Sequence, residues 1–392
     1  MMRDELDRTK IVALQTFLRE RQSEMLALTR SLVEIESPSG DVEGSRAVAD
    51  LLANAARSIA GVSSVEFIES PGYGAHLRLR AFTDAPEAAA GTILLLGHTD
   101  TVHPRGSLQA RPWRIADGRV YGPGIFDMKA NCALALEALR ACAELKIAPR
   151  RAVVLLLTCD EETGSMTGRA LVEQEARRAE SALVLEPPIA GGRVKTGRKG
   201  TGMYTLEAHG VAAHAGLEPE KGASAILEMA RQIERLHTLN DGSGGITVTV
   251  GTVRGGTRSN VVPAEASAEI DVRFNTEQEA KHIEESILNL RSFDERVRLS
   301  VSGGVNRPPL ERTEKVVALY EHARAIASAL DFELNEAQVG GASDGNFVAA
   351  CGVGTLDGLG IDGDGAHATH EHIILDDIAR RGALIAGLIA SL

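Results

Sequence analysis

The run Thr92-Ile-Leu-Leu-Leu-Gly97 carries four consecutive aliphatic side chains, so a strand formed by it is apolar on both faces. A strand of that kind needs a covering layer on each side, the condition met by the sheets of α/β proteins. The segments around it fit this requirement. Spaced Ile, Leu, Phe and Val among charges predict an amphipathic helix over 11–35, and Asp41-Val42-Glu43 opens a second helix through Ile59. Short apolar runs at 63–68 and 75–80 precede the central one, and a helix at 129–145, a strand at 151–158, a helix at 166–178 and a strand at 181–186 follow it. Such alternation predicts a mixed, largely parallel sheet covered by helices.

Near residue 198 the pattern changes. Strand (202–209), helix (222–237), strand (246–253), strand (265–273), helix (277–291) and strand (296–302) give the order βαββαβ, the ferredoxin-like arrangement. Gly303-Gly-Val-Asn-Arg-Pro-Pro309 reads as the return linker. A helix (313–330), a glycine-rich loop (340–345), a buried strand (353–357) and a helix (376–391) complete the chain. At 392 residues the chain exceeds what one core usually supports. The expected division is therefore a larger domain of 1–197 and 309–392, with 198–308 as an α+β insert.

Composition narrows the class. Aromatic residues are only 3%, so the cores must be built from Ala, Leu, Val and Ile. A net charge of −12 argues against nucleic acid as a partner, because phosphates need Lys and Arg. No run approaches a membrane span, and the charged start MMRDELDRTK does not read as a signal peptide. Cys132, Cys142, Cys159 and Cys351 have no CxxC spacing, and three lie in apolar or helical contexts. They read as buried free thiols in a reduced, cytoplasmic protein.

Metal-binding residue types recur just after the expected strands, where open α/β sheets place their sites. His98 and Asp100 stand two apart at the end of the 92–97 strand, so in extended backbone they point the same way. Asp100 can then steady His98, as carboxylates behind metal-bound imidazoles do. Asp127 follows a glycine loop and precedes a helix, Asp160-Glu-Glu162 follows the 151–158 strand, Glu186 ends the next strand, and His367 sits in Gly363-Asp-Gly-Ala-His367. Singly, Asp127 is equally a helix N-cap, and an acidic triplet is usually a solvated loop. As a set, two His and at least three carboxylates suit two Zn²⁺, with Co²⁺ or Mn²⁺ as substitutes.

The segments Gly97-His-Thr-Asp-Thr-Val102, Tyr121-Gly-Pro-Gly-Ile-Phe-Asp-Met-Lys129, Thr158-Cys-Asp-Glu-Glu-Thr-Gly-Ser165 and Leu185-Glu-Pro187 resemble the co-catalytic zinc exopeptidases. That family includes glutamate carboxypeptidase (carboxypeptidase G), aminoacylase and succinyl-diaminopimelate desuccinylase, and the likeness is greatest to the first. It extends through His209-Gly-Val-Ala-Ala-His-Ala-Gly216, Ser259-Asn-Val-Val-Pro263, Asp271-Val-Arg273, Gly340-Gly-Ala-Ser-Asp-Gly345 and Gly365-Ala-His367, in the family's order.

The resemblance implies a zinc-exopeptidase fold with an inserted dimerisation and lid domain. It makes Asp127 a bridge between two metals, completed by Glu162 and His367 on one side and by His98 and Glu186 on the other. Glu161 becomes the general base, and His214 reaches the substrate carbonyl of the partner subunit in a homodimer. Arg273, Asn260 and the Gly340-Gly341 loop hold the substrate's free carboxylate. The same likeness implies a cis Asp127–Met128 peptide and two ions about 3.5–4 Å apart. Met128 departs from the pattern, since carboxypeptidase G has an acid there. The expected activity is release of a carboxyl-terminal residue such as Glu from a peptide, folate-like or N-acyl amino acid substrate. Aminoacylase, dipeptidase and desuccinylase activities use the same centre.

Two other classes compete. Gly341-Ala-Ser-Asp-Gly345 matches the G-x-S-x-G pattern of serine hydrolases, with His367 following Ser343. Only 24 residues separate the two, however (367 − 343), too few for the strands that usually intervene. A binding protein on a peptidase scaffold would be expected to lack a ligand or the base, and here all are present.

Overall fold

The computed structural model describes residues 6–392 apart from Ala148, Asp241 and Ser243; Met1–Glu5 of the charged amino-terminal stretch lie outside the described residues. Two compact units emerge: the first contains the described residues up to Thr196, Arg312–Gln338 and Ser343–Leu392, and the second Gly197–Glu311 with Val339–Ala342.

The first unit opens with two helices, α1 (Arg8–Glu20) and α2 (Gln22–Val33), where the apolar spacing predicts one. Arg21 separates them with φ −96° and ψ 9°, and its guanidinium reaches the Glu137 carboxylate at 2.7 Å. Helix α3 (Val42–Arg57) starts where expected, because the Asp41 side chain accepts the Gly44 N–H at 3.0 Å. Strands β1 (Val62–Ser70), β2 (Gly74–Ala81) and β3 (Thr92–His98), helix α4 (Ala130–Glu144), strand β4 (Val153–Thr158), helix α5 (Arg169–Ala176) and strand β5 (Ala179–Val184) follow.

In the second unit the order is β6 (Gly200–His209), α6 (Ala225–His237), β7 (Thr247–Gly255), β8 (Glu265–Phe274), α7 (Glu277–Leu288) and β9 (Arg298–Arg307). The chain then returns to α8 (Glu314–Ala329), β10 (Gly354–Leu356) and α9 (Ile378–Ser391).

The six-stranded sheet of the first unit runs β1-β2-β4-β3-β5-β10. Strand β3 lies parallel between β4 and β5, with Leu95 opposite Leu155 and Leu183, and β10 extends the parallel part. The β1–β2 hairpin joins the β4 edge antiparallel. Alternation along β3 confirms burial on both faces. Ile93 and Leu95 pack into the core containing α4 and α9, while Leu94 and Leu96 pack against Val172 of α5 and Phe347. Residues after the carboxyl ends of β3, β4 and β5 therefore emerge side by side.

The second unit is an antiparallel sheet ordered β7-β8-β6-β9, the ferredoxin-like pattern. Tyr204, Leu206 and Ala208 of β6 face the core with Met229 and Leu236 of α6 and Ile283 and Ile287 of α7. Neighbouring Met203 points outward, as strand alternation requires. Helix α7 begins at a capping box formed by Thr276 and Glu279. The segment 303–309 needs correction: Gly303–Arg307 continues β9 and pairs with β6. Gly303 serves close approach there, with φ +108° and a position where a Cβ would lie 2.1 Å from the Met203 carbonyl oxygen.

Among the described residues, no helix is long and apolar enough to cross a membrane. All four cysteines are free; Cys132, Cys142 and Cys159 are buried and Cys351 is half-buried.

Candidate metal centre

His98 ends β3 and is 1% exposed. Its Nδ1 lies 3.0 Å from the Asp100 carbonyl oxygen, the partner of an N–H, so Nε2 is the nitrogen turned to the carboxylates. Nε2 is 3.0 Å from Asp127 Oδ1 and 3.5 Å from Glu186 Oε1. The second oxygen of Asp127 faces another imidazole, with Oδ2 3.4 Å from His367 Nε2. Glu162 Oε2 lies 3.2 Å from the same His367 nitrogen. Ligand atoms of His98, Asp127 and Glu162 all fall within 4.8 Å of one another.

Asp100 does more than steady His98. Its carboxylate also accepts the backbone N–H groups of Glu161 (3.2 Å) and Glu162 (3.1 Å), and the Ser39 hydroxyl (2.6 Å). One buried side chain thus ties the end of β3 to the loop after β4. Asp160, first of the acidic triplet, is structural: its Oδ2 accepts the Thr167 N–H and hydroxyl at 2.6 and 2.7 Å. The Asp127–Met128 peptide is cis, as the resemblance implied. Met128 is fully buried, and its sulfur lies 3.3 Å from the His98 N–H.

A small antiparallel sheet brings the remaining loops together. Arg119–Tyr121 pairs with His372–Ile374, His372 standing opposite Tyr121. The loop leading to Asp127 and the loop carrying His367 therefore lie side by side. Glu371, which the residue pattern did not single out, is 2% exposed and accepts the N–H groups of Gly124, Phe126 and Asp127 at 2.7, 2.9 and 3.0 Å.

The electrostatics call for positive charge. Burial alone works against a charge on His98, but the carboxylates of Asp100, Asp127 and Glu186 outweigh it and raise its pKa well above an ordinary histidine's. Hydrogen bonds to Asp127 and Glu162 raise His367 to about 10. Burial pushes Asp127 up, yet the imidazoles of His367 and His98 prevail and hold it well below the usual carboxylate range. Burial pushes Glu162 up, against the pull of His367.

In the metal-free protein, the ion pairs of His367 stabilise the fold fully below pH 6.5 and fade as pH rises through about 10. A ligating imidazole must be neutral, so a cation displaces this proton and affinity should rise with pH. Calorimetric titration with Zn²⁺ at pH 8, in two buffers of different ionisation enthalpy, should show net proton release. Equal heats in both would contradict this electrostatic reading.

The other expected site residues belong to the second unit. His214 is exposed on the short strand Ala213–His214, opposite Val261, and its Nδ1 accepts the Gly216 N–H at 3.2 Å. The Asn260 carbonyl accepts the Ala215 N–H at 3.0 Å, which places Asn260 beside the His214 loop. Arg273, on β8, already binds a carboxylate in two-pronged fashion, with Nε and Nη2 each 2.8 Å from Asp271. The carbonyl oxygens of Gly341 and Ala342 accept from Arg198 at 3.2 Å, and Gly340 precedes them in the same loop. The serine-hydrolase alternative fails. Ser343 is buried and donates to Asp357 at 2.8 Å, while the His367 imidazole faces Asp127 and Glu162.

A cluster of two imidazoles, His98 buried and His367 exposed, with carboxylates at the carboxyl ends of the parallel strands is a candidate metal site of an α/β enzyme. Residues 94–391 match the sequence profile of Peptidase family M20/M25/M40, and the chain belongs to that family. It is 28% identical over 386 residues to carboxypeptidase G2 of Pseudomonas sp. (strain RS-16), covering 95% of this chain and 90% of that protein. It is 31% identical over 316 residues to succinyl-diaminopimelate desuccinylase of Verminephrobacter eiseniae, covering 75% and 77%. The crystal structure of aminopeptidase PepT from Bacillus cereus shares the fold, with a TM-score of 0.75 at 22% identity over 94% of this chain and 98% of that one.

Proposed function

We propose that this enzyme hydrolyses an amide bond and releases a carboxyl-terminal amino acid, glutamate above others, from a peptide, folate-like or N-acyl amino acid. The observation that carries the reading is the placement of Asp127, one oxygen 3.0 Å from His98 and the other 3.4 Å from His367. The residues suit two zinc ions. The donors are nitrogen and oxygen, and among the described residues the buried Glu162 Oε1 has no hydrogen-bond partner. Asp127 would be shared, with His98 and Glu186 on one side and Glu162 and His367 on the other. Bound there, two divalent cations would acidify a shared water and polarise the scissile carbonyl.

The chain's own groups do the rest. Glu161 takes the water's proton and delivers it to the leaving nitrogen. Because His214 Nδ1 accepts the Gly216 N–H, its Nε2 carries the hydrogen and can donate to the developing oxyanion. Arg273, exchanging Asp271 for substrate, holds the free carboxylate with Asn260 and the Gly340-Gly341 loop. The second unit would join two copies into a homodimer, and the buried free thiols fit a reduced, cytoplasmic setting. Glutamate is favoured because the motif likeness is greatest to glutamate carboxypeptidase, and the similarity to carboxypeptidase G2 spans 95% of the chain.

A screen of N-acyl amino acids, dipeptides and succinyl-diaminopimelate with zinc- or cobalt-loaded enzyme tests this. Glutamate release from N-acyl or pteroyl glutamates should dominate and stop on chelation. Faster turnover of succinyl-diaminopimelate, or activity indifferent to chelator, would overturn it.

A further inference from the structure

We propose that Glu371, acting with His103 and Arg111, is a positioning residue that sets Asp127 against His367 and so builds one of the two cation sites. The proposal rests on the two-cation reading above. Glu371 is no ligand in that reading, yet its buried carboxylate takes four donors. Oε2 accepts the Gly124 N–H at 2.7 Å and His103 Nε2–H at 2.6 Å. Oε1 accepts the N–H groups of Phe126 at 2.9 Å and Asp127 at 3.0 Å.

The same network closes on the opposite loop. With Nε2–H given to Glu371, His103 Nδ1 is an acceptor, and Arg111 Nη2 lies 3.3 Å from it. Arg111 Nη1 donates to the carbonyl of Ala368, the residue after His367, at 3.2 Å. The loops of Asp127 and His367 are 240 residues apart in sequence (367 − 127) and are joined here by Glu371, His103 and Arg111. Asp127 is shared, so both sides feel the loss of Glu371. His98, however, is held by β3, whereas the His367 loop is tied to Glu371 through Arg111 and Ala368, so the His367 side weakens more.

Only a carboxylate satisfies this arrangement. Each oxygen accepts two hydrogen bonds, at least one of them from a backbone N–H, so in Glu371→Gln the amide NH₂ must face at least one backbone donor that it cannot accept from. The loop before Asp127 then loses at least one anchor, while side-chain volume is unchanged.

The test is cation binding to the full-length protein, measured by competition with a chromophoric chelator for Co²⁺ and followed by the cobalt visible spectrum. Wild type should bind two ions. Folded Glu371→Gln should hold one ion about 10–100-fold more weakly, the usual cost of removing a group that orients ligands, and the other by a clearly smaller factor. The melting temperature of the metal-free variant serves as the control for folding. Should Glu371→Gln fail to fold, Arg111→Ala and His103→Gln each remove one link, and each should weaken the same ion by a smaller factor. Equal weakening of both ions, or wild-type affinity for both in the folded variants, overturns the proposal. If wild type itself binds a single ion, the two-cation reading fails instead. The positioning role is then judged by whether the variants weaken that one ion.

Discussion

Glu161→Gln is expected to keep its metal ions and lose about 10²–10⁴-fold in kcat, because the amide cannot take a proton from water. Glu162→Gln is expected to lose metal. The two residues are adjacent, and Asp100 anchors the backbone N–H of each. What separates them is the direction of the side chain. Glu162 Oε2 is 3.2 Å from His367 Nε2, and Glu162 belongs to the converging group with His98 and Asp127. Glu162 Oε1, buried with no hydrogen-bond partner among the described residues, supplies a second reason to expect a cation there. Elemental analysis of both purified variants, beside kcat and KM for a glutamate-releasing substrate, decides the matter. The same metal content and the same activity in both variants would show that base and ligand have been assigned wrongly. Activity lost from Glu161→Gln together with its metal would remove the case for a base.

The sequence made the central sheet legible because Ile93-Leu-Leu-Leu96 leaves no polar side chain for solvent, whichever way the strand faces. The centre was legible because its ligand types follow strand ends, and the order of motifs matched a known family. What escaped detection involves the backbone. Glu371 anchors the Asp127 loop through three N–H groups, and a main-chain donor leaves no mark on residue identity. Gly303 reads as a linker residue, yet its missing Cβ lets β9 lie against β6. Ser343 is the reverse case: the G-x-S-x-G pattern is present, but the spacing to His367 argues against a nucleophile and the hydroxyl is buried on Asp357. The departure at Met128 has a packing counterpart, since a Cβ on Gly97 would stand 2.5 Å from Met128 Cε. The glycine makes room for the methionine.

Mixing two inactive variants is expected to restore activity if each active site draws on both subunits of a homodimer. The inserted unit has the features such an assembly needs. Its edge strand β7 is largely exposed, and exposed edges tend to pair or be covered. Two copies related by a two-fold axis would bury the same surface twice. His214 is exposed on a short strand of this unit, with its Nε2–H available as a donor, whereas all the proposed metal ligands belong to the first unit. If the insert only solubilises the fold, His214 is an ordinary surface histidine, and His214→Ala retains near wild-type activity. If His214 acts in trans, Glu161→Gln supplies the missing imidazole and His214→Ala supplies an intact centre with its base. Random exchange makes half of the dimers mixed, and each mixed dimer has one complete site, so activity should return to about one quarter of wild type. The measurement is kcat per subunit before and after re-equilibration, with exchange followed by mass-tagged subunits. No recovery after confirmed exchange would rule out His214 acting across the dimer.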